Sequence, residues 1–151
     1  MDTMENQIFI GSEDGEKARN ILQSQNYTCV LCKEKALYAT TLRGVKPLVQ
    51  WLESGTDLQG FSAADKVVGK ATAFLYCLLG VKEVYAQVMS EAAFDVLTEN
   101  GILARYDQLA GHIINRKGDG ICPFEAAVLD ITEPHAAIIA IRAKLKELGI
   151  V

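Results

Sequence analysis

A chain of 151 residues, half of them apolar, is long enough for one hydrophobic core and too short for two ordinary domains. Its net charge of -4, with lysines and arginines only in scattered pairs, lacks the basic footprint of a nucleic-acid binder. The longest apolar run, Ala71 to Val81, falls short of the roughly 20 residues that span a bilayer, and "MDTMENQIFIGSEDGEK" has no basic segment ahead of an apolar one. The expectation is therefore one domain over residues 1–151, cytoplasmic, with neither nucleic acid nor membrane as partner, and with Cys29, Cys32, Cys77 and Cys122 as reduced thiols.

Taken in chain order, Ala18, Ile21 and Leu22 share a helical face after Ser12, a capping residue, so residues 13–25 are predicted as a helix. "YTCVLC" and "ALYATTL", separated by the charged "KEK", predict a β-hairpin. In "GVKPLVQWLESG", Val45, Leu48, Val49 and Leu52 make one face of a short helix with Pro47 in its first turn, and Trp51 is expected to pack. "LQGFSAA" suggests a strand leading directly into a helix over 65–79, whose Val67, Val68, Ala71, Phe74, Leu75 and Leu78 require cover on nearly all sides. Gly80 ends that helix, "EVYAQVM" suits a buried strand, and Ser90 and Gly101 bracket the next helix. "ILARY" continues as a strand, 109–115 is read as extended and "NRKGDGI" as a loop. "CPFEAAVLD" reads as a short helix with Pro123 at its first position, and 134–148 as the last helix. Strands alternating with helices in one core define an α/β layered domain.

Five segments, "GVKPLVQWLE", "ADKVVGKATAFL", "VKEVYAQVMSE", "NRKGDGICPFE" and "AAVLD", together resemble the family called domain of unknown function 1893, across roughly residues 14–147. The resemblance implies a cytidine-deaminase-like fold, a three-layer α/β/α sandwich around a mixed sheet, and brings no established activity. Zinc deaminases need a His or Cys with a Glu two positions on at one helix start, and a Pro-Cys-x-x-Cys at the next. The corresponding segments here, "ADKVVGKA" and "MSEAAFD", have none of these ligands, so deamination, zinc and any other cofactor are not expected.

With a helix beginning at 65, Asp65 is its cap, and Lys66 and Lys70, four apart, share a face beside Gly69. Cations in a first turn are unfavourable unless an anion answers them, which makes this a candidate site for a small anionic ligand. The alternative is a solvated lysine face opposite Val67, Val68 and Ala71. "NRKGDGICPFE" adds Arg116, whose guanidinium suits phosphate or carboxylate, together with Glu125, Asn115 and Cys122. Cys122 at a helix start invites a nucleophile reading, although neither His112 nor His135 is spaced as its base. The alternative makes Cys122 a cap, with Glu125 reaching back to its N–H in a capping box. Arg43 and Lys46 form a further basic turn. Cys29 and Cys32, three apart on a strand, point to opposite faces and are not expected to share a metal.

The function these residues suggest is binding of a small anionic, nucleotide-like molecule, with Asp65 orienting a hydroxyl or amine, Lys66 and Lys70 neutralising the anion, and Arg116 with Glu125 closing the far side. Two other classes stay open: a non-catalytic homo-oligomeric assembly protein, and a thiol enzyme using Cys122.

Overall fold

Ser12 caps the first helix, α1 (Glu13–Ser24): its hydroxyl accepts from the Gly15 N–H at 3.0 Å, and Glu13, Asp14 and Glu16 complement the helix N-terminus. The structure is a computed structural model that describes residues 12–114, 118 and 120–150. Strands β1 (Cys29–Lys33) and β2 (Ala36–Thr40) form the expected hairpin, turning at Glu34. Then come α2 (Lys46–Glu53), β3 (Ser62–Val68), α3 (Lys70–Leu79) and β4 (Glu83–Ser90). The chain continues through α4 (Glu91–Glu99), β5 (Leu103–Ala110), α5 (Pro123–Ala127) and α6 (Pro134–Glu147). Gly80 ends α3 with a φ of 77°, a left-handed value that glycine adopts without strain. Ser90 caps α4 by accepting from the Ala93 N–H at 3.0 Å.

The five strands form one mixed sheet in the order β2-β1-β3-β4-β5. The β1 strand is antiparallel to both neighbours, while β3, β4 and β5 run parallel, because α3 and α4 carry the chain back over the sheet between them. On one face α1 lays Ala18 and Leu22 against Val30, Cys32, Ala64 and Tyr85. On the other, α2, α3, α4 and α6 cover Leu31, Ala63, Val84 and Ala86. The chain is thus an α/β sandwich of three layers. Helix α3 is its centre: Ala71 to Tyr76 and Leu79 are all buried, and α2, α4 and α6 pack around it. Trp51 packs on this core and meets Tyr38 edge to face. The β5 strand runs past "ILARY" to Ala110, so 109 and 110 belong to it, and Ile114 makes an isolated bridge to Ile121.

One predicted boundary is corrected. Residues 65–68 are not the first turn of a helix but the second half of β3, and α3 starts at Lys70 with Gly69 as its cap. Asp65 pairs across to Cys29 on β1 and to Ala86 on β4. The helical reading arose because Ala63 and Val68 both enter the main core although an even alternation would send them to opposite faces. Their neighbours on β4, Val84 and Met89, break step in the same way. Val68, Ala71 and Leu75 are therefore spaced as on a helix, across a strand-to-helix junction. Lys66 and Lys70 consequently do not share a helical face.

Candidate functional site

Beyond the carboxyl end of β3, where parallel pairing on one side meets antiparallel pairing on the other, lies a cavity of about 320 Å³. Ligands of open α/β sheets bind at strand carboxyl ends, and 320 Å³ is at the lower end of the usual range for small-molecule sites, roughly 300–1,000 Å³. Its walls come from four segments. The connection from β2 into α2 supplies Leu42, Arg43, Gly44, Val45, Pro47 and Leu48, and the end of β3 supplies Asp65, Lys66 and Val67. The start of α3 adds Gly69, Ala71 and Thr72, and Thr28 and Cys29 lie beside them. Ile113, Cys122, Phe124 and Glu125 close the remaining side.

The anion position at the start of α3 is filled by the protein itself. The Glu125 carboxylate accepts from the N–H groups of Lys70 and Ala71, each at 2.9 Å, and so caps a helix distant in sequence. Glu125 does not form the capping box of the alternative reading, since the Cys122 N–H bonds instead to the Ile113 carbonyl at 3.0 Å. Gly69 makes the approach possible, since a Cβ there would lie 2.5 Å from Glu125 Oε2. Lys70 Nζ donates to the Leu129 carbonyl at 2.9 Å and lies over the Phe74 ring, away from the cavity walls.

Asp65 is held from below by α3. The buried Tyr76 hydroxyl donates to Asp65 Oδ2 at 2.7 Å and lies 3.1 Å from Cys29 Sγ. The Val67 N–H reaches Asp65 Oδ1 at 3.4 Å. Burial pushes the Asp65 carboxyl up to about 6, against the lowering effect of the Tyr76 hydroxyl and the nearby backbone N–H groups. Burial, reinforced by the Asp65 charge, pushes the Cys29 thiol well above its ordinary range, and burial pushes Cys77 up to about 11. The result is a carboxyl that takes up its proton near neutrality, fixed by an aromatic hydroxyl at a cavity wall. Tyr76 was not singled out from the sequence. The available signal is a phenol inside a buried, largely apolar helix, because a buried tyrosine hydroxyl needs a partner.

Of the candidate residues, Asp65, Lys66, Gly69, Arg43, Cys122 and Glu125 meet around this cavity, while Lys70 and Lys46 are not among its lining residues. Asn115 and Arg116 lie outside the described residues. Neither His112 nor His135 lines the cavity beside Cys122. The four cysteines are free thiols, and Cys29 and Cys32 enter the cores on opposite sheet faces, as their spacing predicted. Among the described residues no helix is long and apolar enough to cross a membrane.

A family model described as a domain of unknown function (DUF1893) matches residues 17–145. The chain belongs to the DUF1893 family. The crystal structure of a DUF1893 family protein from Thermotoga maritima superposes with a TM-score of 0.81 at 24% identity, over 89% of this chain and 92% of that one, so the two share a fold. An apo dCMP deaminase from the cyanophage S-TIM5 matches with a TM-score of 0.41 at 15% identity, over 70% of this chain and 99% of that one, a likeness too loose to carry an argument. No curated protein matches the chain in sequence. In this DUF1893 protein the residues at the starts of α3 and α4, Gly69-Lys70-Ala71 and Ser90-Glu91-Ala92, do not fit the donor set of a deaminase zinc. Among the described residues, no three His, Cys, Asp or Glu side chains gather as metal ligands.

Proposed function

We propose that this DUF1893 protein binds a small anionic molecule carrying a ring, nucleotide-like in its chemistry, in the cavity beside Asp65. The observation that carries the reading is the convergence of Asp65, Lys66 and Arg43 on one largely apolar cavity at the carboxyl end of β3. Leu42, Pro47, Leu48, Ile113 and Phe124 offer an apolar slot for a flat ring. Arg43 and Lys66 carry the positive charge that answers the anion, and the Arg43 guanidinium suits bidentate contact with phosphate or carboxylate. Asp65 takes a ring N–H or a hydroxyl, and Thr28 and Thr72 supply further hydrogen-bonding hydroxyls. Glu125 acts at one remove, by holding the start of α3 in place.

The test is thermal shift with nucleoside monophosphates, ribose 5-phosphate and inorganic phosphate, because binding to the native state raises its apparent stability by mass action. A rise with the nucleotides that is lost in both Arg43→Ala and Asp65→Asn supports the reading. A rise that survives both substitutions places the ligand elsewhere, and no rise with any of the three ligand types counts against the proposal.

A further inference from the structure

Thr72 lies one turn before Tyr76 on α3, so the two side chains share a helical face. The Tyr76 hydroxyl reaches Asp65 Oδ2, which sets Thr72 beside Asp65 on the side nearer the start of α3, and both Asp65 and Thr72 line the cavity. Thr72 is only 8% exposed, yet among the described residues its hydroxyl has no hydrogen-bond partner. A buried polar group left unpaired costs stability, and this one faces a cavity where a ligand can supply the missing bond. Asp65 presents acceptors only. Tyr76 spends its proton on Oδ2 at 2.7 Å and the Val67 N–H meets Oδ1 at 3.4 Å, so each oxygen carries one bond from the protein and keeps capacity for another. The carboxyl titrates at about 6, which leaves it ionised at pH 7.5. The polar edge of the cavity is thus a pair of acceptors next to a hydroxyl free to donate.

Resting on the nucleotide reading above, we propose that the ring this cavity takes is guanine, with Asp65 accepting from its N1–H and its 2-amino group and Thr72 donating to its O6. Guanine is the common base whose polar edge runs carbonyl, ring N–H, amino group, in the order of Thr72 and the two Asp65 oxygens. Adenine and cytosine would set a ring-nitrogen lone pair against one of those oxygens. The single ring N–H of uracil lies between two carbonyls, one of which would face the carboxylate. A site built to hydrogen-bond a ring rejects analogues that leave its buried groups unpaired far more strongly than an apolar pocket separates rings by size. Pro47, Leu48 and Phe124 then cover the ring faces, and Arg43 and Lys66 meet the phosphate.

The test is calorimetry at pH 7.5 with GMP, IMP, XMP and AMP on the wild type, Asp65→Asn and Thr72→Val. The wild type is expected to bind GMP about tenfold or more tightly than IMP, which lacks only the 2-amino donor, and about a hundredfold or more tightly than AMP. Asp65→Asn exchanges one acceptor for a donor, so it loses GMP and gains XMP, whose 2-oxo group accepts from the new donor. Thr72→Val weakens GMP about tenfold and leaves the urea midpoint unchanged or raised, because the hydroxyl it removes has no partner in the free chain. IMP or AMP bound by the wild type as tightly as GMP overturns the guanine assignment and leaves the nucleotide reading standing. So does an Asp65→Asn chain whose preference among the nucleotides is that of the wild type. GMP binding unchanged in Thr72→Val overturns the contact to O6. No heat of binding with any of these nucleotides overturns the nucleotide reading and the guanine assignment together.

Discussion

Replacing Gly69 with alanine isolates the contact on which the site's architecture depends. Gly69 is extended, with φ of -100° and ψ of -178°, a conformation open to alanine, so no backbone strain enters. The new methyl would instead lie 2.5 Å from Glu125 Oε2 and 2.6 Å from Cδ, which displaces the carboxylate from the start of α3. What is lost is the pair of bonds to the Lys70 and Ala71 N–H groups, both at 2.9 Å. Hydrogen bonds to a charged group contribute about 1.5–3 kcal/mol, and the lower end applies to the pair because a displaced carboxylate regains water. Removing a glycine returns about 0.4–1 kcal/mol through the unfolded chain. Gly69→Ala is thus expected to destabilise by about 1 kcal/mol in the wild type, and to be neutral or slightly stabilising once Glu125→Ala has removed the carboxylate. Urea unfolding of wild type, both single variants and the double variant closes the cycle, with an expected coupling of about 1.5 kcal/mol. Additive costs, or a neutral Gly69→Ala in the wild type, refute the reasoning.

Asp65 makes stability depend on pH. Its carboxyl titrates at about 6 in the folded chain, above its ordinary unfolded range, so its favourable contribution is full below about pH 4 and lost as pH rises through 6. Asp65→Asn should flatten that part of the urea-midpoint profile, by on the order of 2–3 kcal/mol at most across the window; an unchanged slope contradicts the assignment. Tyr76→Phe removes the donor that favours the Asp65 carboxylate, and should raise the Asp65 pKa, read by carboxyl NMR titration, while costing about 1–3 kcal/mol of stability. Lys66→Ala is expected to weaken nucleotide binding about tenfold or more and Lys70→Ala to leave it nearly unchanged, because only the former lines the cavity; calorimetry of both variants decides it.

Element type and order were legible wherever a local signal was strong: Ser12 and Ser90 as caps, Pro47 and Pro123 in first turns, Gly80 as a terminator, the charged turn between β1 and β2. The junction between β3 and α3 was not, because Asp65 before an apolar run looks like a cap and the strand breaks its alternation at Val68. At the site, the sequence groups Asp65, Lys66, Gly69 and Glu125 with Lys70 and Arg116 without giving their geometry: the first four line the cavity, Lys70 does not, and Arg116 lies outside the described residues. Glu125 reaches Lys70 and Ala71 across more than 50 positions of chain, and no local spacing encodes such a contact. Tyr76 is hidden for the same reason, since its partner Asp65 lies in the second half of β3, where the sequence predicts the first turn of the helix that carries Tyr76.

The most direct test of ligand binding at the Asp65 cavity is a crystal structure of the chain grown with a nucleoside monophosphate. Density with its ring against Pro47, Leu48 and Phe124 and its phosphate at Arg43 and Lys66 is the predicted result. A ligand bound elsewhere, or a cavity holding only ordered water at saturating nucleotide, would contradict the account.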